Sequence, residues 1–499
     1  MSAIDELRAL LRWRVLQLFT LGALLAAVGW RSFRLKFCVL DLDIWWHLKV
    51  GEWIIVHRAF PRAGILSRTA ATRPWAAYSW GYELLLSRAY AWFGLVGVGV
   101  FGTFLTMGVA CTVYWMVRRL SGRFWTACLL ATITCSGFLF NLMPRPVFFS
   151  MILLAVTLTL LLEAQSSARI QLLYWLPLVF FLWANLHIQF IYGIFVLGLF
   201  VGVNLLQRAA TYSGLPADVF LPPPLLPART LAAILAACVL ATCIGPYSCH
   251  LYFIVFSYVT ATFPYTFIRE FQAVNFRAGS HFVQLLLTGA AFLAVGRQRK
   301  LDLFKVVLLA ATSIVAYRTM RDAWFICIPA AACIAASLAA AEPERSESAG
   351  EKAGLAIALA VALFLFARNT DFNTRDLDRA ISSTFPVNAI NFLRQHPQPG
   401  PLYNTFDWGG FLAWYMPDYP VAIDGRTDLY GDEIDTRFFK TQNGDASYVD
   451  DPFLNESRLI LLPEKVPLAS VLLSDPRFNL IYEDSLAVVF VKRESSSTD

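Results

Sequence analysis

The sequence predicts a polytopic α-helical membrane protein with a soluble α/β domain at its carboxyl end, on three observations. Hydrophobic residues make up 57% of the 499 and charged residues only 15%, with a mean hydropathy of +0.55, which excludes a soluble single core. Apolar runs of the roughly 17–25 residues needed to cross a bilayer recur through the first three quarters of the chain. The last ~130 residues read differently: short apolar stretches alternate with turn residues over a length typical of one domain.

Taken in order, spans are expected near 14–35, 92–116, 124–142, 147–164, 172–187, 190–207, 230–246, 282–296, 303–317, 324–341 and 353–367, about eleven transmembrane helices by hydropathy. Residues 172–207 are almost continuously apolar. They are split at Asn185-Leu186-His187-Ile188-Gln189, because polar side chains cannot be left unpaired in lipid. The domain reading is 1–368 for the transmembrane part, with an outer loop at 37–91, and 369–499 for the outer α/β domain. The first apolar stretch is longer than a signal-peptide core and lacks a small-residue cleavage site, so it is expected to remain as an anchor.

Orientation follows from charge. The basic loops at Arg118-Arg119-Leu120-Ser121-Gly122-Arg123 and from Arg297 to Lys305 belong in the cytoplasm by the positive-inside rule. The amino terminus is then cytoplasmic. The 37–91 loop, the Pro144-Arg145-Pro146 corner, the 185–189 break, the 247–280 loop, Arg318 through Asp322 and the carboxyl domain all fall outside, on one face. Against this orientation, the first loop itself carries Lys49, Arg58, Arg62, Arg68, Arg73 and Arg88. An anionic headgroup or diphosphate would reconcile the two, since arginine forks pair with phosphate oxygens.

The net charge of +6 is spread over loops with no nucleic-acid module or basic stripe. All nine cysteines lie between Cys38 and Cys333, in or beside the spans, with no disulfide framework or zinc spacing. Residues 342–351 read as a polar connector before the last span, and the two halves of the chain do not resemble each other, which weakens an inverted-repeat transporter.

The candidate chemistry begins at Asp41-Leu42-Asp43-Ile44-Trp45-Trp46-His47, where two carboxylates sit at a membrane surface. Asp43 is placed as the N-cap of a helix running to about His57. Trp46, Val50, Trp53, Ile54 and His57 then share one face, which suits a helix lying in the interface with Lys49 and Glu52 toward water. A second such helix is expected from Trp75 through Arg88.

This layout resembles the GT-C superfamily of membrane glycosyltransferases, in which an initial span is followed by an acidic outer loop, many further spans and an outer carboxyl domain. More narrowly, Asp41 to Gly51, Trp183-Ala184-Asn185-Leu186-His187, Tyr403 to Gly410 and Asp424-Gly425-Arg426-Thr427-Asp428-Leu429-Tyr430-Gly431 resemble uncharacterised bacterial multi-pass proteins grouped near those enzymes. The resemblance implies sugar transfer from a polyprenyl-phosphate carrier, with a first-loop acid as base on the acceptor hydroxyl and inversion at the anomeric carbon. Two departures are clear. Asp41-Leu42-Asp43 replaces the adjacent Asp-Glu pair of protein O-mannosyltransferases, and the Trp-Trp-Asp signature of oligosaccharyltransferases is absent, which argues against peptide glycosylation.

Such a transfer needs a base, cationic help for the departing phosphate and exclusion of water. Asp41 and Asp43 are the candidates for the base. Two acids two apart share a side of a strand but lie about 200° apart on a helix, so a helical start leaves one of them facing any given cavity. Candidate substrate-binding residues are His47, Arg145, Asn185, His187, Arg318, Arg321, Asp424 and Arg426. For Arg145, Arg318 and Arg321, snorkelling to headgroups explains the charge equally well, and a helix–helix hydrogen bond would satisfy His187. No cofactor is assigned: a divalent metal fits the ligand types of Asp41, Asp43, His47 and Glu83, but no ligand spacing requires one and simple solvation explains them as well.

In the carboxyl segment the alternation predicts a helix near 386–396, a strand near 401–404, a helix near 408–416, a strand near 419–424, then elements at 433–442, 458–462, 466–474, 478–483 and 486–492. Asn404 and Asp424 fall at strand ends, where open sheets place ligand clefts. Gly409-Gly410 and Gly425 read as tight turns. The leading function is therefore a membrane glycosyltransferase whose partners are a polyprenyl-phosphate-linked sugar and membrane lipids. The alternatives are a non-catalytic binding or transport protein for lipid-linked glycans, and an assembly protein that needs none of the acids.

Overall fold

The structure, a computed structural model, describes residues 36–138, 143, 145–212, 226–339 and 374–493. The spans expected near 14–35 and 353–367 and the connector at 342–351 lie outside these residues. Within them the chain forms two compact units, one from 102–251 and 269–339, the other from 36–101, 252–268 and 374–493.

The helices run, in chain order, α1 (Lys36–Val39), α2 (Ile44–His57), α3 (Trp80–Ser121), α4 (Phe124–Ser136), α5 (Val147–Ser167), α6 (Leu176–Leu186), α7 (Phe190–Tyr212), α8 (Ala228–Thr242), α9 (His250–Thr260), α10 (Phe263–Phe267), α11 (Gly279–Gly296), α12 (Leu303–Arg318) and α13 (Trp324–Ala339). The carboxyl part continues with α14 (Thr374–Ser382), α15 (Val387–Gln395), β1 (Leu402–Asn404), α16 (Phe406–Tyr415), α17 (Thr427–Gln442), α18 (Pro452–Glu456), β2 (Leu459–Pro463), α19 (Pro467–Ser474), β3 (Phe478–Glu483) and β4 (Ala487–Lys492).

The first unit is all helix. Each span expected between 92 and 341 overlaps a helix, with 139–142 and 340–341 outside the described residues. Among the described residues four helices are long and apolar enough to cross a membrane: α3, α5, Phe190–Ala210 of α7, and α11. Others are shorter than one crossing, such as α4 and α13. The polar break falls where expected, with α6 ending at Leu186 and α7 opening at Phe190. Hydroxyls inside these helices stay satisfied without a partner helix: Thr132, Thr134, Thr157, Thr159 and Thr312 each donate to the carbonyl four residues back.

The second unit is built around a four-stranded sheet of order β1-β2-β4-β3. β1 runs parallel to β2, while β2 with β4 and β4 with β3 are antiparallel. Leu459 to Leu462 are all buried, the continuous apolar run of a strand covered on both faces. β3 is an edge strand, buried at Phe478 and exposed or part-exposed beyond it. Nearly every expected element of this segment has its counterpart. The exception is the strand near 419–424: Val421 makes only an isolated parallel bridge to Ser67. The Asn404 side chain takes the place of a ladder, accepting from Ala422 N at 2.8 Å and donating to Ile423 O at 2.8 Å. Asn404 is fully buried and committed to backbone, so it lines no cleft.

The same unit takes in the first loop. Trp45 is completely buried among Phe385, Phe411 and Tyr415, with ring centroids 5.8, 5.1 and 5.4 Å away, close to the edge-on arrangements aromatic pairs prefer. This corrects the expectation of an interface-lying α2. Ile44, Trp45, Trp46, His47, Leu48, Val50, Gly51 and Ile54 are all buried, so α2 is a core helix packed against α16. Its apolar residues occupy every side of the first turns, which one apolar stripe would not require. Lys49 and Glu52, expected to face water, pair with each other at 2.7 Å. The second interfacial helix also reads differently: α3 begins only at Trp80 and runs for 42 residues, broken at Gly94 where φ is 59°.

Candidate functional site

The Asp41-Leu42-Asp43 turn divides its two acids by role. Asp41 is 3% exposed, and its Oδ1 accepts from Asp43 N at 3.0 Å, an Asx-type turn that launches α2. Asp43 occupies the N-cap position without making the side-chain cap bond expected of it. Its Oδ1 instead accepts from the Trp46 indole Nε1 at 3.1 Å. Asp43 remains part-exposed. The carboxylate also lies against the backbone at Gly425, where a Cβ would come within 2.3 Å of Asp43 Oδ1. Gly425 is therefore neither a spacer nor a simple turn residue; its missing side chain is the space the carboxylate uses.

One turn on, His47 Nδ1 lies 3.1 Å from Glu83 Oε1 in the first turn of α3. Both are buried, and Glu83 Oε2 has no hydrogen-bond partner. The Tyr82 ring stands edge-on to the imidazole at 5.2 Å. Gly51 lets α2 come this close, because a Cβ there would sit 2.2 Å from the Glu83 carbonyl.

Asp424 and Arg426 form a forked pair with no side-chain exposure on either partner. Arg426 Nε donates to Asp424 Oδ1 at 2.8 Å, Nη2 to Oδ2 at 2.6 Å, and Nη2 also to the Ile65 carbonyl at 2.8 Å. Tyr430 OH donates to Asp424 Oδ2 at 3.1 Å, and the guanidinium lies 4.6 Å from the Trp75 ring. Burial works against the Arg426 charge, yet the Asp424 charge and hydrogen bonds hold it above its ordinary range. Trp75 Nε1 donates to Asp428 Oδ2 at 2.9 Å, and Arg73 donates to the Tyr430 carbonyl. Burial raises Asp428 to about 6, with Arg426 opposing. Burial raises Asp435 further, to about 9, helped by the negative charges of Asp424, Asp428 and Asp432.

Of the residues singled out in the sequence, the second unit thus gathers Asp41, Asp43, His47, Asp424 and Arg426. The remaining five belong to the first unit. There His187 Nδ1 lies 2.8 Å from Ser150 Oγ, which accepts from Trp183 Nε1 at 2.7 Å. Asn185 Nδ2 donates to the Phe181 and Ile244 carbonyls at 2.8 and 2.9 Å. Arg145 and Arg321 share Glu270, at 3.6 and 3.3 Å. Arg318 closes α12. Among the described residues no three His, Cys, Asp or Glu side chains are arranged to hold a metal ion.

Sequence reasoning missed Trp75 as an Asp428 partner and missed Asp435 altogether. The Trp75 pairing joins segments about 350 residues apart in the chain, and nothing local separates buried Asp435 from the more exposed Asp432 and Glu433 beside it.

No protein-family model matches the chain, and no curated protein sequence does. Among solved structures it is similar to the crystal structure of ArnT from Cupriavidus metallidurans bound to undecaprenyl phosphate, at 13% identity over 94% of this chain and 97% of that one, with a TM-score of 0.43.

Proposed function

We propose that the chain is a GT-C-type membrane glycosyltransferase that moves a sugar from a polyprenyl-phosphate carrier to a lipid, glycan or protein acceptor on the outer face of a bacterial inner membrane, with Asp43 as the base. Apolar helices able to cross a membrane support the setting. The observation that carries the reading is the Asp43 carboxylate, part-exposed and aimed by the Trp46 indole against the Gly425 backbone. A base must be held in one orientation within reach of the acceptor. Asp41 is spent on the turn and serves as a positioning residue. In the reaction, Asp43 takes the acceptor hydroxyl proton as that oxygen bonds to the anomeric carbon, and the bond to the carrier phosphate breaks with its electron pair leaving on phosphate. Attack opposite the departing phosphate inverts the anomeric centre. For Arg145, Arg318 and Arg321 a part in binding the phosphate, and for His47, Asn185, His187, Asp424 and Arg426 a part in binding substrate, are proposals resting on charge and polarity.

One observation favours a second reading, in which lipid-linked glycans are bound or moved without transfer. Arg426 is forked onto Asp424 with neither side chain exposed, so the cation of this block is closed to a phosphate.

Purified full-length protein supplied with radiolabelled polyprenyl-phosphate sugars tests both. Asn at position 41 keeps the oxygen that holds the turn, so Asp41→Asn is expected to retain transfer while Asp43→Asn loses about 100-fold or more, the usual worth of a base. Undiminished transfer in Asp43→Asn would remove it from the mechanism. Carrier binding without turnover in the wild type would establish the second reading.

A further inference from the structure

The turn between α8 and α9 brings together two cysteines that the transfer reading does not use. Cys243 caps the C-terminus of α8, and Cys249 precedes the first residue of α9. Their Sγ atoms are 2.9 Å apart. That separation lies between a covalent bond of about 2.05 Å and an ordinary contact of two sulfurs. Cys249 is exposed and Cys243 part-exposed, whereas Cys38, Cys128, Cys135, Cys238, Cys327 and Cys333 are buried.

The backbone between them is a tight and unusual loop. Ile244 N bonds back to the Ala241 carbonyl at 3.1 Å and Ser248 N to the Gly245 carbonyl at 3.3 Å, while Ser248 adopts φ 46°, a conformation non-glycine residues rarely hold. Asn185 grips the same loop. Its amide donates to the Ile244 carbonyl at 2.9 Å, and a Cβ on Gly245 would approach its Oδ1 to 2.4 Å. A side-chain hydrogen bond is a weak hold on a strained turn. A covalent link across the loop would be a firmer one.

We propose that Cys243 and Cys249 are a disulfide site, oxidised in the mature protein, which clamps the α8–α9 turn against Asn185. The charge pattern expects this turn on the outer face, where disulfides form and persist. The oxidant is a disulfide-bearing protein of that compartment. The Cys249 thiolate, its proton released to solvent, attacks the oxidant's disulfide, forming a mixed disulfide and expelling one oxidant thiolate. The deprotonated Cys243 then attacks Cys249 Sγ, closing the intramolecular bond and expelling the second oxidant thiolate, so two electrons pass to the oxidant and two protons leave the cysteines.

The test reads covalent state and local exchange, not transfer, so it stands apart from the fate of the proposed activity. Cells are quenched with a membrane-permeant alkylating agent, and the chain is denatured, reduced and alkylated with a second, mass-distinct reagent. Cys243 and Cys249 are expected to carry the second label, and the first label on both would overturn the site. The full-length protein is then compared by hydrogen exchange with and without dithiothreitol. Amides of 243–249 are expected to exchange roughly tenfold faster on reduction in the wild type and not to respond in Cys243→Ser/Cys249→Ser. Equal rates in the wild type would overturn the clamp.

Discussion

Neither carboxylate oxygen of Asp435 meets a donor, and the side chain is 1% exposed. Its folded value near 9 lies far above the roughly 3.9 of an unfolded aspartate. The folded state therefore holds a proton that the unfolded chain gives up, and stability that is full below about pH 4 drains away as pH climbs through 9. Asp428, raised only to about 6, has finished titrating by then. Thermal melts at pH 7 and 9 should thus fall in the wild type and fall less in Asp435→Asn; parallel falls would deny that the group is buried as described. The Asp424 and Arg426 fork makes a different prediction. Asp424→Leu alone strands a buried guanidinium and should cost about 3–5 kcal/mol, whereas Asp424→Leu with Arg426→Met should cost much less, measured as denaturation midpoints of the two variants. Residue types were legible at this scale: Asp43, Asp424 and Arg426 stood out as charges in apolar company. Their partners were not, because Ile65, Trp75 and Gly425 reach them across some 350 residues of chain or through a missing side chain.

Helices and strands of the carboxyl segment were legible because period and turn residues are local properties. α2 was legible in extent but not in setting. Amphipathic spacing says which positions are apolar, and only the partner helix says that the polar side of the first turns is covered too. That partner is α16, whose Gly410 makes the approach to α2 possible while Gly409 lies on the 423–424 backbone. A Cβ on Gly410 would meet the Leu42 carbonyl at 3.1 Å and Trp46 N at 3.2 Å, and one on Gly409 would fall 1.9 Å from the Ile423 carbonyl. Gly409→Ala accordingly cannot be absorbed by a side-chain shift and should destabilise the second unit by about 1–3 kcal/mol as overpacking does. Gly410→Ala, with its looser contacts, should cost less. The ordering of their melting temperatures checks this, and equal melting would mean that Gly409 does not lie as closely on the Ile423 carbonyl as found.

At the scale of the whole molecule, residues 369–499 read from sequence as a domain of their own, yet the aromatic nest and the charged block are completed by the first loop. Trp45 fills the space between Phe385, Phe411 and Tyr415, the Trp75 indole bonds to Asp428, and the Ile65 carbonyl accepts from Arg426. The excised segment 374–493 should therefore expose that apolar nest and bind a hydrophobic dye, with poor spectral dispersion, while co-expression with 36–101 should restore both. A well-dispersed, dye-negative fragment would show that the segment folds unaided.

Arg68 and the Glu456 it pairs with are separated by 388 positions. At about 5–20 residues per second a ribosome needs roughly 20–80 s to travel between them. During that interval the acidic loop has already been made while its companion is still being synthesised, and every helix from α4 to α13 must be threaded into place in between. Asp43 acquires its Gly425 neighbour only after the helices of the first unit have been made. A half-finished chain thus owns the carboxylate but not the glycine it lies against.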